Sequence, residues 1–246
     1  MTTKTILITG GTSGIGFACA AYLLQHNYQV LITGQNPENL KKALEQLGDK
    51  ATGYLSDTSS MQDIVQLAKK VKATFNRIDG LFINAGIFQA ASFEATTEDL
   101  FDKTMGINFK GAFFTMQHFI PLLNNPSSIV LNTSVVVFKS FSNTSVYTAS
   151  KAALESVAKV LNVELKDKGI RINTVSPGVT RTPIQQKSGM TTTAIEQLMD
   201  HFSAVAPLGR IVEPEDIAPI VAFLMSDHSF ALRNAKIVVD GGSTLL

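Results

Sequence analysis

Seven short runs of apolar and β-branched residues punctuate this chain: "TILIT" from Thr5, "QVLIT" from Gln29, "ATGYL" from Ala51, "GLFIN" from Gly80, "SSIVLNT" from Ser127, "IRINTVS" from Ile170 and "KIVVD" from Lys236. Between them lie longer stretches with helical patterning, over Phe17–His26, Glu38–Leu47, Met61–Phe75, Glu98–Leu123, Val146–Lys168 and Pro214–Met225. Apolar strands that alternate with helices imply a parallel sheet covered on both faces, the doubly wound α/β arrangement. In such a sheet ligands bind beyond the carboxyl ends of the strands, so the informative residues are expected just after each run.

A length of 246 residues, 45% of them apolar, suits one α/β domain, and no linker, repeat or low-complexity segment divides it. The net charge of +1 gives no reason to expect a nucleic-acid or membrane partner, and the basic pairs Lys41-Lys42 and "KKVK" from Lys69 read as solvated helix faces. The apolar run before the first glycine is too short for a signal peptide or a membrane span. One cysteine, Cys19, in an apolar helical run, excludes an internal disulfide framework and fits a reducing, cytoplasmic setting. The "NTS" sequons at Asn132 and Asn143 are therefore expected to be unused. The four histidines show no metal-ligand spacing, and no metal site is expected.

After the first strand stands "TGGTSGIG", Thr9 to Gly16. Gly10 permits a tight turn, Gly14 lets a phosphate approach the backbone, and Gly16 lets helix and strand pack closely. The helix that follows presents free N–H groups and the positive end of its dipole to an anion. Thr12, Ser13 and Ile15 fall within the same turn and are expected to contact a dinucleotide there. No Gly-Lys-Ser/Thr follows, which excludes a P-loop. Strand, glycines and helix in this order mark a Rossmann-type site.

Further along, "SVYTASKAALESVAK" places Tyr147 and Lys151 four residues apart, on one face of a helix. A free phenol titrates near pH ~10, too high for proton transfer at neutral pH. A cation close by favours the phenolate, so Lys151 is expected to lower the pKa of Tyr147.

The glycine spacing G-x-x-x-G-x-G, together with this Tyr–Lys pair, resembles the compact form of the short-chain dehydrogenase/reductase family. The resemblance runs from Thr5 to Gly242 through several motifs in order. "INAG" at Ile83–Gly86 is similar to the family's N-N-A-G, with Ile83 in place of the first Asn. "GINFKG" at Gly106–Gly111 matches the helix bearing its catalytic asparagine, here Asn108, and "LNTS" at Leu131–Ser134 sets a serine thirteen residues before Tyr147. "SPGVTRTP" at Ser176–Pro183 resembles its nicotinamide-side loop, and "VVDGG" at Val238–Gly242 its last strand.

The resemblance implies an NAD(P)-dependent oxidoreductase acting on a carbonyl or secondary alcohol. Tyr147 would be the general acid or base, with Ser134 on the substrate oxygen. Lys151 would also bond the nicotinamide ribose, and Asn108 would hold a water linking Lys151 to solvent. By position, Asp57 would meet the adenine amine and Asn84, Ala85 and Gly86 the adenosine ribose. Pro177, Gly178, Thr180 and Thr182 would lie along the carboxamide and phosphates; relatives often carry an aliphatic residue at Thr180.

The end of the second strand reads "TGQN", with no Asp at Gly34 to repel a 2′-phosphate and no Arg at Gln35 to bind one. With Thr12 and Ser13, Gln35 and Asn36 make a neutral pocket. Absence of a repelling carboxylate favours NADP(H) over NAD(H).

The segment from about 184 to 207 interrupts the strand–helix rhythm, and the family resemblance implies that it closes over the substrate. Val135, Val136, Val137 and Phe138 would make an apolar wall near Lys139, better suited to an apolar or medium-sized carbonyl compound than to a polyanion. Apolar residues around the helices Glu98–Leu123 and Val146–Lys168 suggest a homo-oligomer, and the family resemblance implies a homotetramer or homodimer. Arg233-Asn234 replaces a Thr-Gly common in the family, at a turn that often touches a neighbouring subunit. Two alternatives stand beside the main reading. A 3-oxoacyl-carrier-protein reductase would need a basic docking patch, for which Arg181, Lys187 and Arg210 are the candidates. A dinucleotide-sensing binding protein would need no turnover, although such proteins usually lose the Tyr or the Lys.

Overall fold

The strands pair in the order β3-β2-β1-β4-β5-β6-β7, all parallel. They are β1 (Thr5–Ile8), β2 (Gln29–Gly34), β3 (Ala51–Leu55), β4 (Ile78–Ile83), β5 (Leu123–Asn132), β6 (Ile170–Pro177) and β7 (Lys236–Val239). This computed structural model describes residues 3–245; the side chain of Lys187 lies outside the description. The expected doubly wound sheet is present, with its seven strands where the apolar runs stand.

Alternation along each strand builds two cores. Ile6, Ile8, Val30 and Ile32 pack against Leu23 of helix α1 (Gly14–Gln25) and Val221 of α8 (Pro214–Met225). Leu7, Leu31 and Leu81 face the other way, toward Val71 of α3 (Met61–Phe75), Met116 of α5 (Ala112–Phe119) and Leu154 of α6 (Ser145–Glu164). All seven strand residues just named are fully buried, and truncating any of them to alanine is expected to cost ~2–5 kcal/mol.

Local signals set the helix starts. Asn36 accepts a hydrogen bond from the Asn39 amide at 2.9 Å and caps α2 (Pro37–Leu47), whose first residue is proline. Ser60 caps α3 by accepting from the Asp63 amide at 3.2 Å. Glu213 and Asp216 form a capping box at α8. At α1 the N-cap residue Ser13 makes no side-chain cap bond, so that helix end is left open.

The single helix expected over Glu98–Leu123 is not continuous. Helix α4 (Glu98–Met105) runs into a π-helical turn, Gly106–Gly111, and then into α5; Leu123 already belongs to β5. A Cβ on Gly111 would lie 2.1 Å from the Thr58 carbonyl oxygen, so only glycine lets that turn meet the loop after β3. The interrupting segment near 184–207 contains helix α7 (Thr192–Val205).

Candidate active site

Gly10, Asp57, Asn84, Ser134 and Gly178 each stand one or two residues past the end of a strand. They meet in one cleft of about 650 Å³. The cleft lies at the switch in strand order between β1 and β4, where a doubly wound sheet opens.

Its phosphate-side wall is the glycine turn. Gly10 (φ +64°) and Gly14 (φ +53°) adopt the left-handed conformation that favours glycine. A Cβ on Gly14 would crowd Thr182 at 3.1 Å. Thr12, Ser13 and Ile15 also line the cleft, and the uncapped amides of α1 begin here. Gly34 and Gln35 close this end. A Cβ at Gly34 would fall 2.5 Å from Thr12 Cγ2, so no acidic residue fits there without moving Thr12. These bare glycines and open helix amides fit the pyrophosphate of a dinucleotide.

A hydrogen-bonded chain ties that turn to the catalytic candidates. Asn84 Nδ2 donates to the carbonyls of Thr9 (2.9 Å) and Gly10 (3.1 Å). Asn132 Nδ2 donates to Asn84 Oδ1 at 2.9 Å, and Lys151 Nζ donates to the Asn132 carbonyl at 2.8 Å. Asn84, Ala85 and Gly86 line the cleft between the two ends.

Tyr147 and Ser134 line the cleft side by side, close enough for the Ser134 hydroxyl to favour the phenolate, and Lys151 Nζ lies 5.7 Å from the Tyr147 ring centroid. The pKa of Tyr147 departs from expectation. Although Tyr147 is only half-buried and faces the cleft, loss of solvation pushes its phenol up to about 12, with the Ser134 hydroxyl pulling it down by less. Burial of Lys151 pushes its ammonium down to about 8. The loss of water around both groups outweighs the attraction that their spacing suggests.

Three of the expected catalytic and cofactor-binding residues do not line the cleft, and neither do Val137 and Phe138 of the expected apolar wall, the Phe138 side chain being exposed. Gly16 is packed beneath the cleft, where a Cβ would lie 2.4 Å from the Gly10 carbonyl oxygen. Asn36 uses its side-chain oxygen to cap α2. Asn108, on the π-helical turn, pairs with the Ile87 backbone in both directions (2.8 and 3.0 Å) and donates to Ser150 Oγ at 3.1 Å. Its side chain is thereby committed to protein partners.

Asp57 does line the cleft, while its Oδ1 also accepts from the Ser59 amide and hydroxyl, both at 2.8 Å. Pro177, Gly178, Thr180 and Thr182 line the far wall. Gln185 organises that wall: Nε2 donates to the Thr180 carbonyl at 2.9 Å, and Oε1 accepts from the Thr182 hydroxyl at 3.2 Å. Sequence reasoning missed Gln185, because one glutamine in a polar run carries no pattern. The apolar end of the cleft includes Val135, Val136, Phe141 and, from the segment at 184–207, Met190, Leu198 and Phe202.

A family model described as "Enoyl-(Acyl carrier protein) reductase" matches residues 10–244. A solved structure titled "short chain dehydrogenase/reductase family protein" superposes with a TM-score of 0.86 at 33% identity, covering 99% of this chain and 98% of that one. The chain is a short-chain dehydrogenase/reductase. It is therefore an oxidoreductase by family. A 3-oxoacyl-[acyl-carrier-protein] reductase of Thermotoga maritima is 33% identical over 97% of each chain. The 3-ketoacyl-(acyl-carrier-protein) reductase of Brucella melitensis, solved in complex with NADH, gives a TM-score of 0.88 at 26% identity over 98% of both chains.

Within this short-chain dehydrogenase/reductase two departures from the family pattern have a structural account. Ile83, in place of asparagine, is buried in the second core. Asn234 holds φ +58°, a left-handed conformation that asparagine tolerates, at the position where the resemblance leads one to expect glycine. Among the described residues no helix is long and apolar enough to cross a membrane.

Proposed function

We propose that this protein is an NAD(P)-dependent oxidoreductase that interconverts a carbonyl compound and its secondary alcohol. The observation that carries the reading is the convergence of Ser134, Tyr147 and Lys151, the last with its Nζ 5.7 Å from the Tyr147 ring centroid, in the cleft that begins at the glycine turn. The dinucleotide, when bound, supplies or accepts the hydride. Ser134 holds the substrate oxygen through its hydroxyl. Tyr147 gives that oxygen a proton in reduction and takes it back in oxidation. Lys151, cationic below pH about 8, favours the phenolate that forms as the proton leaves, and its ammonium bonds the ribose beside it. Asn108 acts as a positioning residue: it fixes Ile87 and, through Ser150, the first turns of α6. A water serving Lys151 would be held by backbone groups of the π-helical turn.

Asn84, Ala85 and Gly86 line the adenosine ribose and Asp57 the adenine. Gln35 faces the 2′ position. No carboxylate stands at the end of β2, which favours NADP(H) over NAD(H). No cation lines that end among the described residues, so the preference is small. Helix α7 covers the substrate with Leu198 and Phe202. Phe101 on α4 and Val160 and Val163 on α6 are exposed, which supports assembly into a dimer or tetramer through these helices. The buried thiol of Cys19, raised far above its ordinary pKa by burial, acts as packing and suits a cytoplasmic protein.

Stopped-flow and steady-state oxidation of NADPH and NADH with a ketone panel tests the reading. Turnover that vanishes in Tyr147→Phe supports it. Dinucleotide binding with no turnover of any carbonyl or alcohol would identify a sensing protein instead.

A further inference from the structure

Among the described residues that line the cleft, only Asp57 and Lys151 carry a charge. Asp57 stands beyond β3, where it also holds the turn before α3. Lys151 is 4% exposed and bonded to the Asn132 carbonyl. The end beyond Ser134 and Tyr147 is walled by Phe88, Val136, Phe141, Met190, Leu198 and Phe202. The Phe88 ring meets the Tyr147 ring edge-on at 5.1 Å, and Phe141 meets Phe202 at 6.1 Å with the planes tilted by 51°. Rings set at such angles leave aromatic faces and edges, in a wall that also holds an adaptable methionine, for a compact apolar group.

A carboxylate or phosphate entering this end would lose its water and find no cation among the described residues that wall it. Nor do the two docking candidates among the described side chains stand free. Arg181 donates to Glu213 at 3.3 Å, and Arg210 makes two bonds to Asp216, at 2.6 and 2.9 Å. An acidic carrier would have to compete with these carboxylates.

We propose that the substrate is a free, uncharged ketone or its secondary alcohol, with an alicyclic or aromatic ring at the carbonyl carbon, and not a thioester held on an acidic carrier protein. This rests on the oxidoreductase reading above. In reduction the carbonyl carbon gains a hydride from the reduced dinucleotide, and the carbonyl oxygen gains the Tyr147 proton. The products are the secondary alcohol, the oxidised dinucleotide and a phenolate that is reprotonated from solvent; oxidation is the reverse.

The test compares kcat/KM for cyclohexanone, 4-oxocyclohexane-1-carboxylate and an acetoacetyl-carrier-protein thioester, each with NADPH and with NADH. The two ketones share a ring and differ by one charge. The neutral ketone is expected to lead the carboxylate by about a hundredfold, as an unpaired buried charge requires, and to lead the thioester as well. In Phe202→Lys the ratio of carboxylate to neutral ketone is expected to rise at least about tenfold as the new cation pairs with the carboxylate; should that variant not fold, the wild-type ratio decides. A carboxylate turned over as fast as the neutral ketone, or a faster thioester, overturns the substrate class and leaves the oxidoreductase reading intact. No turnover of the three overturns the substrate class too, and failure to bind either dinucleotide takes the oxidoreductase reading with it.

Discussion

Lys151 donates its ammonium to the backbone carbonyl of Asn132 at 2.8 Å, a carbonyl that no side-chain substitution removes. That single bond holds a cation that is 4% exposed and whose pKa burial lowers from 10.5 to about 8. The lowered value means the folded state binds this proton less well than the unfolded chain. Below pH 8 the fold bears the full cost of the buried charge, and the cost is relieved as pH rises from 8 to 10.5.

Lys151→Met is therefore expected to raise stability at pH 7 by about 1–3 kcal/mol, read from urea denaturation. The gain should shrink as the pH approaches 10.5. A variant less stable than wild type at pH 7 would show that the bond to Asn132 outweighs desolvation.

The same group governs the pH profile of activity. In the proposed reaction, ketone reduction needs Tyr147 protonated, which holds up to about 12, and Lys151 charged, which holds up to about 8. The kcat/KM for the reduced dinucleotide, which reports the free enzyme, is expected to fall tenfold per pH unit above about 8. Lys151→Arg, which cannot lose its proton in this range, should abolish that fall if it retains activity.

Tyr147→Phe removes the proposed proton donor and leaves the ring that Phe88 packs against. A loss of roughly 10²–10⁴ in kcat is expected, with dinucleotide affinity by fluorescence titration changed less than about threefold. Equal losses in binding and turnover would mean the hydroxyl serves the dinucleotide and not the substrate.

Gln35 and Asn36 are adjacent, yet their variants should separate cleanly. Asn36→Ala removes the α2 cap, with a cost of about 1 kcal/mol in stability and no change in the NADPH/NADH preference. Gln35→Asp places a carboxylate at the cleft wall and should shift the ratio of affinities toward NADH by at least about tenfold.

Gly16→Ala tests packing under the turn. Its Cβ would meet the Gly10 carbonyl oxygen at 2.4 Å, so a loss of about 1–3 kcal/mol is expected in thermal or urea melts. Unchanged stability would mean that the turn yields freely.

The strands and their order of use were legible because a buried parallel sheet needs uninterrupted apolar runs, and the cleft followed from what stands after each run. Asn36 could have been read as a cap from "NPEN", since the asparagine precedes a proline and an acid; a neutral amide beside a ribose pocket suits both roles equally. The π-helical turn left no mark in the sequence, because α and π turns differ by one residue in hydrogen-bond register. Gln185 acquires its role only when the chain after β6 folds back on Thr180. The spacing of Tyr147 and Lys151 reveals their neighbourhood but not how much water the surrounding wall removes.

The π-helical turn at Gly106–Gly111 also limits how this chain can change length. It carries a residue more than an α-helical path would need between α4 and α5, and that surplus brings Asn108 against Ile87. Deleting one residue there would leave an ordinary helix that looks better formed by every local rule. It would also rotate Asn108 away from Ile87 and Ser150 and release the loop that borders the cleft. Loops elsewhere on the surface can gain or lose residues quietly; in this helix the count itself sets where Asn108 points.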